Sequence, residues 1–83
     1  MHYVYIIKSK KDGSIYIGCA SDLKKRLKQD NNGKAYYTKN KIPWEVRYYE
    51  AFYSEKDAFV REQKLKNNAR GLQELKKRLK NTI

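Results

Sequence analysis

Four side chains in this sequence, Tyr5, Tyr16, Arg26 and Glu62, are of types that the cleavage of a phosphodiester could use. In-line attack of water on such a bond builds negative charge on the non-bridging and leaving oxygens. One group must take a proton from the water, another must neutralise the phosphate, and a third must stabilise the leaving group. A free phenol, with a pKa of about 10, is a poor base at neutral pH unless a neighbouring cation lowers that value. Tyr5 and Tyr16 are candidates among surrounding Lys and Arg; read blandly, they are amphipathic sheet residues with hydroxyls at the surface. Arg26 offers a planar fork suited to two phosphate oxygens, or it is a solvated charge in the run Lys24-Lys25-Arg26. Glu62 lies between Ala58 and Leu65 on the apolar side of a helix, where an unpaired carboxylate is costly to bury. Its two accounts are a salt bridge, with Arg26 as one partner, or ligation of a hard cation that keeps most of its waters, as magnesium does.

These residues need a scaffold, and the patterning supplies one. Tyr3 to Ile7 is an unbroken β-branched and aromatic run that suits a short strand. Asp12-Gly13 is a hairpin turn signal, and Ile15-Tyr16-Ile17 reads as the returning strand, closed by Gly18. Ser21 or Asp22 caps a helix over Leu23 to Asn31, with Leu23 and Leu27 one turn apart. Asn31-Asn32-Gly33 ends it, with Gly33 in a left-handed conformation. A polar loop from Lys34 to Ile42 stops at the single proline, Pro43. Trp44 to Phe52 alternates as a third strand, with Trp44, Val46 and Tyr48 on one side and Glu45, Arg47 and Tyr49 on the other. Ser54 to Asp57 resembles a capping box and opens a second helix to about Asn67, with Ala58, Arg61, Glu62 and Leu65 at helical spacing. Asn67-Asn68 and Gly71 punctuate, and Leu72, Leu75 and Leu79 mark a final amphipathic helix. The order β-β-α-β-α-α predicts an α+β domain over residues 1–83: a small three-stranded antiparallel sheet flanked by helices.

Charge narrows the partner. The 83 residues hold 20 Lys and Arg against 9 Asp and Glu, a net charge of +11. Repulsion at that density opposes compaction, so a polyanion that absorbs it is the simplest reason for the excess. No apolar run approaches the roughly 20 residues of a spanning helix, and no membrane partner is expected. The N-terminus lacks the features of a signal peptide, and a single cysteine, Cys19, rules out an internal disulfide, so a cytoplasmic protein is expected. Eight tyrosines, two phenylalanines and a tryptophan set the chain apart from a disordered basic tail.

Tyr3-Val4-Tyr5 and Tyr16-Ile17-Gly18 resemble the paired signatures of the GIY-YIG nuclease superfamily, with Arg26 on the first helix and Glu62 on the second at matching spacing. Gly33 to Thr38, Pro43-Trp44-Glu45, Arg61-Glu62 and Lys66 resemble its short stand-alone bacterial branch (YhbQ-like), which is related to the N-terminal nuclease domain of the excision-repair enzymes. The resemblance runs from Tyr3 to about Lys66. It implies a metal-dependent endonuclease that hydrolyses DNA, directed by structure rather than sequence, in DNA repair or processing. It also implies one Mg2+ or Mn2+ ion held by Glu62, with Tyr5 and Tyr16 on adjacent strands facing Arg26.

One position departs from that pattern. Four residues after the arginine, where the branch carries His and the excision-repair relatives Tyr, this chain has Asp30. Ionised Asp accepts hydrogen bonds and repels phosphate. Two roles follow for Asp30 in the catalytic set: pairing with Arg26 at i, i+4, or serving as a second carboxylate near the metal. A module that binds nucleic acid with weakened or lost catalysis is the competing function. Lys34, Tyr37, Thr38 and Lys66 are the candidate nucleic-acid contacts. Aromatics among lysines stack on unpaired bases, which favours single-stranded, branched or distorted DNA; a core position is the alternative for Tyr37. RNA remains open as a partner, as does a protein that supplies targeting. His2 and Cys19 are assigned no role.

Overall fold

A computed structural model describes residues 1–67 and 69–83; Asn68, part of the predicted break between the last two helices, lies outside the described residues. The elements run β1 (His2–Ser9), β2 (Ile15–Ala20), α1 (Leu23–Asn31), a 3-10 turn (Lys39–Lys41), β3 (Trp44–Phe52), α2 (Glu55–Asn67) and α3 (Ala69–Arg78). The predicted α+β order holds. The two N-terminal strands extend beyond their predicted ends, and Gly18 falls inside β2 rather than closing it.

The β1–β2 hairpin forms because its turn satisfies itself. Ser9 Oγ accepts from the amides of Lys11 and Asp12, Asp12 Oδ1 accepts from the Ser14 amide, and Gly13 takes a positive φ of 78°. Asp22 is the cap of α1, its carboxylate accepting from the Lys25 amide at 3.0 Å. Gly33 has φ 74°, as expected past a helix end. At the start of α2, Ser54 Oγ accepts from the Asp57 amide.

The antiparallel sheet has the order β2-β1-β3, with β1 central. Each sheet face carries its own core. One gathers Val4, Ile6, Ile17, Ala58, Leu65 and Leu75 under α2 and α3. The other gathers Tyr5, Ile7 and Trp44, with Leu23, Leu27 and Val46, under α1. Burying each large apolar side chain contributes about 1.5–3 kcal/mol, so a chain of this size needs both layers.

Two expectations are corrected. The strand register shifts between Ile6 and Ile7, so that Ile6 faces Tyr48 while Ile7 faces Val46, leaving Arg47 as the extra residue. Trp44 and Val46 therefore pack on the α1 face and Tyr48 on the opposite one, not all three together. Gly71 does not punctuate: it lies within α3. A helical glycine costs about 1 kcal/mol, and the packing of Leu72, Leu75 and Leu79 in the core under α2 and α3 outweighs it.

Candidate active site

The two strands of the hairpin bring Tyr5 and Gly18 face to face as register partners. Tyr5 is 1% exposed. A Cβ built on Gly18 would fall into the Tyr5 phenol, touching both its hydroxyl and ring carbons. The absence of a side chain at Gly18 is what lets the ring lie flat against β2. Burial, the largest influence, pushes the Tyr5 hydroxyl well above the ordinary phenol range; the Arg26 guanidinium pulls the other way but does not overcome it. The expectation that neighbouring cations make this phenol more acidic is thus corrected. Tyr5 stays protonated at neutral pH, with the Arg26 guanidinium beside its hydroxyl.

Arg26 projects from α1 toward Tyr5. Its Nε lies 3.7 Å from Asp30 Oδ1, one helical turn on, and is buried without a hydrogen-bond partner of its own. The side chain as a whole is 38% exposed. Asp30 is completely enclosed, 0% exposed. Its Oδ1 accepts from Thr38 Oγ1 at 3.0 Å, while Oδ2 has no donor among the described residues. The i, i+4 pairing expected from the spacing is therefore present. Full enclosure faces Asp30 away from solvent, so the alternative role as a second metal carboxylate has no support in the geometry.

Thr38 corrects another expectation. Predicted as a nucleic-acid contact, it is 1% exposed. Its hydroxyl is committed to Asp30, and its carbonyl accepts from Trp44 Nε1 at 2.8 Å. The same segment turns Tyr37 outward, 78% exposed, with Tyr36 edge-on to it and Lys39 over the Tyr36 ring. Lys34 is exposed as well. Of the two accounts of Tyr37, the core position is excluded.

A second group assembles around the outer edge of β2. Tyr16 sits edge-on to Trp44 on the α1 face, ring centroids 6.4 Å apart. Lys66 reaches round from α2 on the other face and places Nζ 5.4 Å from the Tyr16 ring centroid. That nitrogen is also 3.2 Å from Glu62 Oε2. Glu62 is 9% exposed. The salt bridge foreseen for Glu62 exists, with Lys66 rather than Arg26 as partner. Burial raises the nearby Cys19 thiol, and Glu62 and Glu55 raise it further, which keeps that thiol unreactive.

The arrangement thus places a buried phenol with a restrained guanidinium in one group, and a half-buried phenol with a nearly buried carboxylate, joined by Lys66, in the other. Among the described residues no three His, Cys, Asp or Glu side chains cluster to cage a metal. A lone carboxylate matches the way magnesium is held, by one or two carboxylates plus waters and substrate phosphate, so Glu62 fits such an ion.

Three residues matter here that their types and spacing did not reveal. Gly18 looked like a strand end. Thr38 looked like a surface group in a polar loop. Asn31, read only as a helix terminus, bonds the Trp44 backbone twice: Oδ1 accepts from its amide and Nδ2 donates to its carbonyl. The one available signal was the glycine inside an otherwise β-branched run, which marks close backbone approach.

The fold and the sequence as a whole have counterparts. The model of the GIY-YIG catalytic domain matches residues 1–80. Over 70 residues the chain is 44% identical to the UPF0213 protein SSP2268 of Staphylococcus saprophyticus, covering 83% of this chain and 84% of that one. It is 36% identical over 75 residues to the UPF0213 protein VNG_2274C of Halobacterium salinarum, covering 89% and 96%. Among solved structures, the solution NMR structure of the UPF0213 protein BH0048 from Bacillus halodurans aligns with a TM-score of 0.55 at 37% identity, covering 89% of this chain and 79% of that chain.

Proposed function

This chain belongs to the GIY-YIG superfamily, a nuclease family, and from that premise we propose that it is a magnesium- or manganese-dependent endonuclease hydrolysing DNA phosphodiester bonds. The observation that carries the proposal is the nearly buried Glu62 beside Tyr16 at the β2 edge, in a chain with a net charge of +11. A bound ion at Glu62 would supply Lewis-acid stabilisation of the phosphate oxygens. Tyr16, half-buried where Tyr5 is sealed, is the better placed of the two phenols to accept a proton from attacking water. Tyr5 backs the Arg26 guanidinium, its hydroxyl accepting from it.

Arg26 neutralises the phosphate with the part of its guanidinium that Asp30 leaves free. Asp30 acts as a positioning residue, holding Nε while Thr38 holds the carboxylate. The exposed Tyr36-Tyr37 pair with Lys34 and Lys39 suits unpaired bases and their phosphates, so single-stranded, branched or distorted DNA is the proposed substrate, in repair or processing. Low intrinsic sequence specificity, a cytoplasmic location and targeting by a protein partner complete the reading.

The test is cleavage of labelled single-stranded and branched DNA with magnesium or EDTA. Glu62→Ala is expected to lower the rate by about 10²–10³-fold, the usual cost of losing one electrostatic contributor. Cleavage that persists in Glu62→Ala refutes the assignment.

A second reading follows from Asp30. Its pairing with Arg26 withdraws part of the guanidinium from substrate and favours a module that binds DNA or RNA with weakened catalysis. That reading predicts salt-sensitive binding without turnover, and efficient cleavage by the unmodified protein overturns it.

A further inference from the structure

The ammonium of Lys66 stands where the countercharge to Glu62 has to be. Nζ is 3.2 Å from Glu62 Oε2, one helical turn away, and its stem carries the same nitrogen to 5.4 Å from the Tyr16 ring centroid. A carboxylate as enclosed as Glu62 requires a cation close by. A divalent ion and an ammonium beside the same carboxylate repel one another, so the two compete for it. Lysine has a flexible stem and no fixed fork, and it can leave. The Tyr16 ring face holds the same nitrogen by cation–π attraction, a contact it can keep on leaving Glu62.

We propose that Lys66 is the resident cation of this site, competing with the divalent ion for Glu62 and, when the ion arrives, giving up the carboxylate while keeping the Tyr16 face, free to turn toward the substrate phosphate. Lys66 is then a positioning residue that sets metal affinity. The inference rests on the proposal that Glu62 holds the ion.

The experiment titrates the full chain with Mn2+ alone and follows free Mn2+ by electron paramagnetic resonance, with thermal melts to verify folding. Removing the competing charge in Lys66→Met is expected to tighten Mn2+ binding about fivefold or more, the lower end of usual coupling between sites. Lys66→Arg, which keeps a cation and adds a fork that grips the carboxylate, should bind Mn2+ no more tightly than the unmodified protein, and tighter binding by Lys66→Arg overturns the competition. Glu62→Gln should weaken binding about tenfold or more, as loss of a charged ligand does. If Lys66→Met binds Mn2+ no more tightly while Glu62→Gln loses it, the competition is overturned and the metal assignment survives. If Glu62→Gln binds Mn2+ as well as the unmodified protein, the metal assignment falls and the role of Lys66 with it. Should Lys66→Met fail to melt cooperatively, Lys66→Gln carries the same expectations.

Discussion

The two faces of the sheet are built on different principles. Under α2 and α3 the core is aliphatic, Val4, Ile6, Ile17, Ala58, Leu65 and Leu75, and the nearly buried Glu62 sits at its margin with Lys66. Under α1 a smaller apolar cluster of Tyr5, Ile7 and Trp44 lies beside an enclosed polar chain from Arg26 through Asp30 to Thr38. The aliphatic face depends on area removed from water and tolerates modest repacking. The polar face already holds Arg26 Nε and Asp30 Oδ2 without hydrogen-bond partners, so losing a further partner there is expensive. The two faces join at the edge strand β2, where Tyr16 packs against Trp44 on one side and takes Lys66, the partner of Glu62, from the other.

The contrast is broken most severely at Gly18. Gly18→Ala forces a methyl group into the Tyr5 ring and is expected to cost about 3 kcal/mol or more, or to prevent folding. A loss below about 1 kcal/mol in urea unfolding, in which ΔG falls linearly with denaturant, contradicts the close approach. The double variant with Tyr5→Ala should recover part of that cost, since the clash is with the phenol.

The polar face is sharpened by Asp30. Asp30→Leu removes the countercharge beside Arg26 and leaves the Thr38 hydroxyl only its long contact to the Ala35 carbonyl, and should cost about 2–4 kcal/mol. Thr38→Val leaves Asp30 facing Arg26 alone and should cost about 1–2 kcal/mol. The two single losses added together should exceed the loss in the double variant, since both remove the same hydrogen bond. Strict additivity contradicts a shared network.

The smallest effect lies on the aliphatic side, where Arg61 reaches from α2 to β3. Its Nε and Nη2 donate to the two Glu50 oxygens at 2.8 and 2.9 Å, and these bonds hold the Glu50 carboxyl below its ordinary value of 4.5. A folded pKa below the unfolded one contributes stability above about pH 4.5 that is lost as the pH falls through the folded value. Glu50→Gln should lower stability at pH 7 by about 1 kcal/mol and flatten the acid limb. An unchanged acid limb contradicts the pairing.

Much of the fold was legible because it rests on local signals. Asp12-Gly13 and its flanking alternation set the hairpin, Asp22 set the start of α1, and Gly33 set its end. The bulge at Arg47 was not legible, because alternation within β3 alone carries no information about which residue of β1 it meets. Gly71 misled for a related reason: local propensity is weak against the burial of three leucines.

The sequence by itself determined the element order, the basic character and the spacing of Tyr5, Tyr16, Arg26, Asp30 and Glu62, since periodicity and charge are properties of the chain. Only the tertiary structure decided which of these residues face water. It sealed Tyr5 and raised its pKa, enclosed Thr38 and Asp30 behind Arg26, turned Tyr37 outward, and gave Glu62 a lysine instead of an arginine. The reason is physical: burial and pairing depend on what arrives from distant segments, and a side chain's acidity and reach are set by those neighbours rather than by its own type.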